Sequence, residues 1–225
     1  MNRPFVRLAI FVLLAVGATP AFAQLVFENV VREMSVETAY LDENGWQFDG
    51  VSDHAMHAGM GPYQDDLEVL LGDASCSAGQ FTDVVVGDTH VVVSGDLSVG
   101  IAQWETGVRR FFRTWSTMTA DFSSETPGTF RFEGQLTGAA TAELFILNLD
   151  TTEDLVVALA PGESVYSGQL PGNGRFHFNV AVSNVNASDL VMDRPADLAF
   201  TFDVSVEGGV PSEPARWGDV KSRYR

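Results

Sequence analysis

Leu198, Phe200, Phe202, Val204 and Val206 alternate without a break with Ala199, Thr201, Asp203, Ser205 and Glu207. A two-residue apolar period places one set of side chains on a buried face and the other towards water, which is the pattern of a half-covered β-strand. The same period recurs in Phe176, Phe178, Val180 and Val182, set against Arg175, His177, Asn179 and Ala181. Phe130, Phe132, Gly134 and Leu136 form a third set. Ala142 to Leu149 is apolar on both alternating sets, so it reads as a central strand covered on both faces. Pro127-Gly128, Pro161-Gly162 and Pro171-Gly172-Asn173-Gly174 interrupt these runs. Gly and Asn tolerate positive φ, so the last of them predicts a hairpin between Ser164–Leu170 and Arg175–Ser183. Short strands about ten residues apart, with no 3.6-residue apolar stripe, predict an all-β fold. Its expected form is an antiparallel β-sandwich, jelly-roll-like.

The amino-terminal half alternates less clearly. Leu25 to Tyr40 predicts one or two strands, followed by a turn at Asp42-Glu43-Asn44-Gly45. Val84–Val86, Val91–Val93 and Leu97–Ala102 predict further strands separated by Gly-Asp pairs. Residues 49–80 read as an irregular, loop-rich region, with a short helix around Gln64–Leu71.

Charge narrows the partners. The 225 residues carry 13 basic and 30 acidic side chains, a net charge of −17, and nucleic-acid binding requires the opposite balance. Residues 1–23 have the three parts of a secretory signal peptide. Arg3 and Arg7 precede an apolar run from Leu8 to Gly17, and Ala21-Phe22-Ala23 supplies small residues for cleavage. That run is too short for a settled bilayer span of about 30 Å, and the mature chain holds no other candidate span. The expected organisation is therefore a signal peptide (1–23), one β-sandwich domain (24–208) and a basic tail (209–225). The expected location is secreted or cell-surface. Cys76 is the single cysteine and has no basic neighbour in sequence to activate it, so it is expected to be inert.

The stretch ESVYSGQLPGNGRFHFNV, beginning at Glu163, runs from an alternating strand through Leu-Pro-Gly into a strand with alternating aromatics. It resembles exported bacterial β-sandwich proteins of the PEP-CTERM-associated type. The resemblance spans about residues 115–208 and implies an exported, non-enzymatic surface or matrix protein. Val210-Pro211-Ser212-Glu213-Pro214 and Arg223-Tyr224-Arg225 are similar to the two ends of that family's sorting signal. The apolar span expected between those ends is replaced by Trp217-Gly218-Asp219-Val220-Lys221.

Four sets of residues invite a chemical reading. His54 and His57, with Asp53, Asp65 and Asp66 nearby and Met56 and Met60 for a softer metal, could ligate one ion from one side of a turn; with no HExxH framework, a solvated polar loop is the expectation. Asn148, Asp150, Glu153 and Asp154 crowd one loop, and Asp42, Glu43 and Asn44 another. Calcium is the ion an acidic extracellular domain would take there, although neither loop spells an EF-hand. Trp104 to Trp115 combines aromatics with Arg109, Arg110 and Arg113, which suits either a sugar platform or a strand whose rings enter the core. No G-x-S-x-G elbow or P-loop is present, and His177 is expected to face outward rather than act as a base. No catalytic, cofactor-binding or metal-ligating residue is therefore assigned. The expected function is an exported, non-catalytic structural or adhesive β-sandwich acting through matrix or self-association. The alternative is a carbohydrate- or calcium-binding module.

Overall fold

The computed structural model describes residues 25–87 and 89–206, and these form twelve strands and no helix. In chain order they are β1 (Leu25–Leu41), β2 (Gln47–Ala58), β3 (Tyr63–Leu71), β4 (Ala74–Val86), β5 (His90–Gln103) and β6 (Arg110–Ser124). They continue as β7 (Gly128–Gly138), β8 (Thr141–Asn148), β9 (Asp154–Leu159), β10 (Gly162–Leu170), β11 (Gly174–Ser188) and β12 (Met192–Val206). Two six-stranded antiparallel sheets result, ordered β2-β1-β6-β11-β8-β9 and β10-β7-β12-β5-β4-β3. The pairings are nested: β5 with β12, β6 with β11, β7 with β10 and β8 with β9. Folding such a nested set into two layers gives a jelly roll. The first four strands then widen each sheet by two, β1 and β2 beside β6, β3 and β4 beside β5. The segment expected to be a signal peptide and the expected basic tail lie outside the described residues.

The alternating rows meet face to face. Phe202 of β12 stacks on Phe178 of β11 at 4.1 Å between ring centroids, joining one sheet to the other. Phe122 packs beside Phe176 at 5.1 Å, and Phe132 lies beside Phe200 within the second sheet. Burying an aromatic or branched side chain fully contributes roughly 1.5–3 kcal/mol, so these rows dominate the driving force. A smaller cluster of Met34, Val36, Ala74, Cys76, Ala78, Ile101 and Phe112 fills the space beneath the added strands. Cys76 sits within it, its thiol donating to the Glu37 carbonyl at 3.2 Å, and burial pushes its pKa up to about 12. A thiol held so far from ionisation is a packing group, not a nucleophile.

Several expectations need correction. Residues 49–80 are not loop-rich but form most of β2, all of β3 and the start of β4, and Gln64–Leu71 is strand rather than helix. Their pattern is faint for a physical reason. β2 is an edge strand exposed on both faces for most of its length, and β4 buries small or polar residues (Ala74, Cys76, Ala78, Gln80, Thr82) instead of large apolar ones. Gly95-Asp96 does not divide two strands but lies inside β5. A Cβ on Gly95 would come within 2.5 Å of the Phe81 carbonyl oxygen, so glycine there permits close backbone approach. Pro171-Gly172-Asn173-Gly174 is not a hairpin. It carries the chain from β10 in one sheet to β11 in the other, with Asn173 at φ 57°. β8 is next to the edge rather than central, and Phe145 and Leu147 on its outer face are only half-covered.

Candidate functional site

Four connections gather at one end of the sandwich: the β1–β2 turn, the β3–β4 turn, the β5–β6 loop and the β11–β12 loop. Backbone hydrogen bonds tie them to one another. The Leu41 amide donates to the Arg109 carbonyl at 2.9 Å, the Trp104 amide to Asp73 at 3.0 Å, and the Gly107 amide to Asp189 at 2.9 Å. In the first turn, the Asp42 carboxylate accepts from the Asn44 and Trp46 amides, both at 2.8 Å, while Gly45 adopts φ 83°. That turn pushes Trp46 outward, leaving it 74% exposed. Trp104, at the start of the β5–β6 loop, is 60% exposed, and Phe48, Leu70, Leu190 and Val191 add further apolar surface at this end. Isolated exposed apolar residues are ordinary, but several on connections that touch make this end a candidate interaction surface.

Behind this rim lies a polar floor. Phe48 stacks on Tyr40 at 5.8 Å, and the Arg110 guanidinium lies 5.1 Å over the other ring of that pair, Tyr40. Arg110 donates to Asp73 in a charge-assisted hydrogen bond, and Gly72, at φ 64°, lets the turn pass beside Tyr40 and Arg110. Gln103 donates to the carbonyls of Glu105 at 2.8 Å and Val108 at 3.1 Å, which folds the loop that carries Trp104. Four buried atoms here lack a hydrogen-bond partner among the described residues: Arg110 Nε and Nη1, Gln103 Oε1 and Asp73 Oδ2. Leaving such a group unpaired costs about 1–3 kcal/mol, and native structures hold few of them. Of the seven such atoms among the described residues, these four lie at one place. Asp42, Glu43, Asp49, Glu105, Asp189 and Asp193 lie on or beside these connections and outnumber the exposed Arg109 and Arg194 there.

The aromatic and basic stretch from Trp104 to Trp115 is brought only partly to this place. Strand alternation divides it: Trp104 and Arg110 belong to the loop end, Phe112 enters the core, and Phe111, Arg113 and Trp115 lie on the outer face of the first sheet. There Arg113 covers the Trp115 ring at 4.5 Å, so that ring face already has an occupant. His54 and His57 fall on opposite faces of β2. His54 pairs with Glu33 at 3.1 Å, and His57 stacks on Tyr63 at 4.6 Å. Among the described residues, no group of three or more His, Cys, Asp or Glu is placed to hold a metal ion. The Asn148 loop is internally engaged: its side-chain oxygen accepts from the Asp150 and Thr151 amides, and Asp150 is bound by Arg175 at 2.7 Å. Hydrogen bonds from Arg175 hold the Asp150 carboxyl below the usual carboxylate range. His177 faces outward as expected and contacts Asp121 at 2.8 Å. Tyr40, Trp46, Phe48, Asp73 and Gln103 are the site residues that sequence reasoning missed. An aromatic directly after a DENG turn was the one signal that could have disclosed Trp46.

No protein-family model matches the chain, and no curated protein matches it. Among solved structures it is similar to the enzymatically active domain of bacteriophage CBA120 tailspike protein 4. The identity is 14% and the TM-score 0.24, over 54% of this chain and 19% of that one. It is also similar to TmCBM61, solved in complex with beta-1,4-galactotriose, at 11% identity and a TM-score of 0.23, over 64% and 88% of the two chains. The GH31 alpha-xylosidase of Xanthomonas citri gives 9% identity and a TM-score of 0.23, over 82% and 28%. The chain thus spans about a fifth of the tailspike domain's length.

Proposed function

We propose that this chain is an exported, non-catalytic β-sandwich module that binds neutral carbohydrate at its loop end. The observation that carries the reading is the pairing of an exposed aromatic rim, Trp46, Phe48 and Trp104, with the buried polar floor of Asp73, Gln103 and Arg110. A sugar offers an apolar face of C–H groups and a ring of hydroxyls. Aromatic side chains take the first, and planar amide, carboxylate and guanidinium groups take the second. Negative side chains around the site oppose an anionic glycan, because like charges at close range are repelled. Arg109 and Arg194 offset this only in part, and Arg110 does not, since Asp73 already neutralises it. The floor is sealed, Arg110 being 1% and Gln103 0% exposed, so contact falls to the rim and these two side chains act by holding the loops that carry it. Export rests on the pattern of residues 1–23.

Titration calorimetry against a panel of neutral oligosaccharides tests this reading. The chain is expected to bind at least one of them, and Trp46→Ala with Trp104→Ala is expected to weaken that binding about a hundredfold. That change corresponds to stacking of about 0.5–1.5 kcal/mol per ring beyond the buried area. Trp115→Ala is expected to leave it unchanged. Binding that survives the loop-end pair but fails in Trp115→Ala would move the site to the outer face of the first sheet.

A further inference from the structure

The four sheet edges of this sandwich are not equally guarded. An edge strand presents a row of unpaired backbone N–H and C=O groups, and proteins blunt it with charge, proline, bulges or shortness. β2 carries Asp49 and Asp53, with Asp49 at φ 47°, and β3 carries Asp65, Asp66 and Glu68. β9 has six residues, begins at Asp154, and is followed closely by Pro161. β10 is less guarded along its length: its prolines, Pro161 and Pro171, stand just outside its two ends. Its nine residues pair with β7 in unbroken register, from Gly162 opposite Leu136 to Leu170 opposite Gly128. Glu163 at its start is its one charged residue, and Val165 is 55% exposed. Arg131 and Glu133, which flank Ser167 and Val165 on β7, pair with each other at 2.7 Å and present no net charge.

We propose that β10 is the self-association surface of this protein, pairing antiparallel with β10 of a second copy to join two six-stranded sheets into one of twelve. The strand's complementarity to itself selects the second copy as occupant, and charge limits where two copies can meet. Two chains of net charge −17 repel one another over most of their surface, and β10 is an edge where backbone can meet backbone without apposed carboxylates. Centring the twofold on Tyr166 sets Val165 against Ser167, Ser164 against Gly168, and Glu163 against Gln169, an amide that can donate to it. The two Glu163 carboxylates then lie roughly 20 Å apart at 3.4 Å per residue, beyond a screening length of about 8 Å. The pairing is isologous and closes at two subunits. Because it reverses the strand direction, the two loop ends point away from each other. If those ends bind glycan, the dimer bridges two glycan chains, but the pairing itself does not depend on that reading.

Sedimentation velocity over a concentration series, with no sugar present, tests the proposal. The chain is expected to sediment at twice its own mass. Val165→Lys with Ser167→Lys is expected to sediment as one chain, with an unchanged far-ultraviolet spectrum. Ser167→Lys alone serves as a second variant should the pair fail to fold, and it is expected to weaken the dimer at least tenfold. A wild type of single-chain mass at every concentration overturns the proposal, as does a dimer indifferent to these lysines. A dimer lost instead in Trp46→Ala with Trp104→Ala also overturns it, since that places the contact at the loop end.

Discussion

Phe202→Ala is expected to destabilise the protein by about 3–5 kcal/mol, the range for removing a fully buried aromatic ring from a core that relaxes only in part. Phe202 has no exposed surface, stacks on Phe178 at 4.1 Å, and lies 6.0 Å from Phe122 and 6.1 Å from Phe130. Two of those neighbours, Phe178 and Phe122, belong to the opposite sheet, so the cavity would open between the layers rather than within one. Native stability is typically about 5–15 kcal/mol, so the loss is a large share of the total. Urea unfolding should show a lower midpoint with the slope unchanged, and the thermal midpoint should fall by roughly 10 °C. Phe48→Ala, at a half-exposed ring, is expected to cost less than about 1 kcal/mol. Equal effects from the two substitutions would mean that the aromatic rows do not hold the sheets together.

Arg110→Met is expected to cost about 3 kcal/mol and to impair the loop end as well. Removing one partner of a buried ion pair leaves the other uncompensated, typically at about 3–5 kcal/mol. The lower figure applies because the Asp73 side chain keeps 28% of its exposure and can recover water. The diagnostic is the double variant. Arg110→Met with Asp73→Asn removes both charges, and replacing a buried pair by groups of similar volume is often nearly neutral. The double variant should therefore be more stable than Arg110→Met alone. Sugar binding should not recover, because Asp73 and Arg110 together connect the Tyr40–Phe48 stack to the turn that receives the Trp104 amide. Strict additivity of the two single costs would show that the pair does not act as a unit.

The carboxyl half of the fold was legible because its strands bury large side chains at every second position. Phe200 and Phe202, or Phe176 and Phe178, announce both strand and face. Where strands bury small or polar groups the signal disappears, and the start of β4, with Ala74, Cys76 and Ala78, reads as loop. Pro171 to Gly174 shows a second limit: a turn sequence permits reversal but does not say whether the chain returns in the same sheet or crosses to the other. The candidate site was half visible. Trp104 and Arg110 lie in the one stretch dense in aromatics and arginine, yet their partners Tyr40, Trp46 and Asp73 come from connections far along the chain, which only the pairing of β1 with β6 and of β4 with β5 draws together.

Backbone amide shifts, followed by NMR as a bound neutral oligosaccharide is titrated in, test the location of the site most directly. The largest changes are predicted at residues 42–48, 72–73, 104–110 and 189–191. Changes centred instead on Phe111, Arg113, Trp115 and the neighbouring outer face of β11, with the loop end silent, would contradict it.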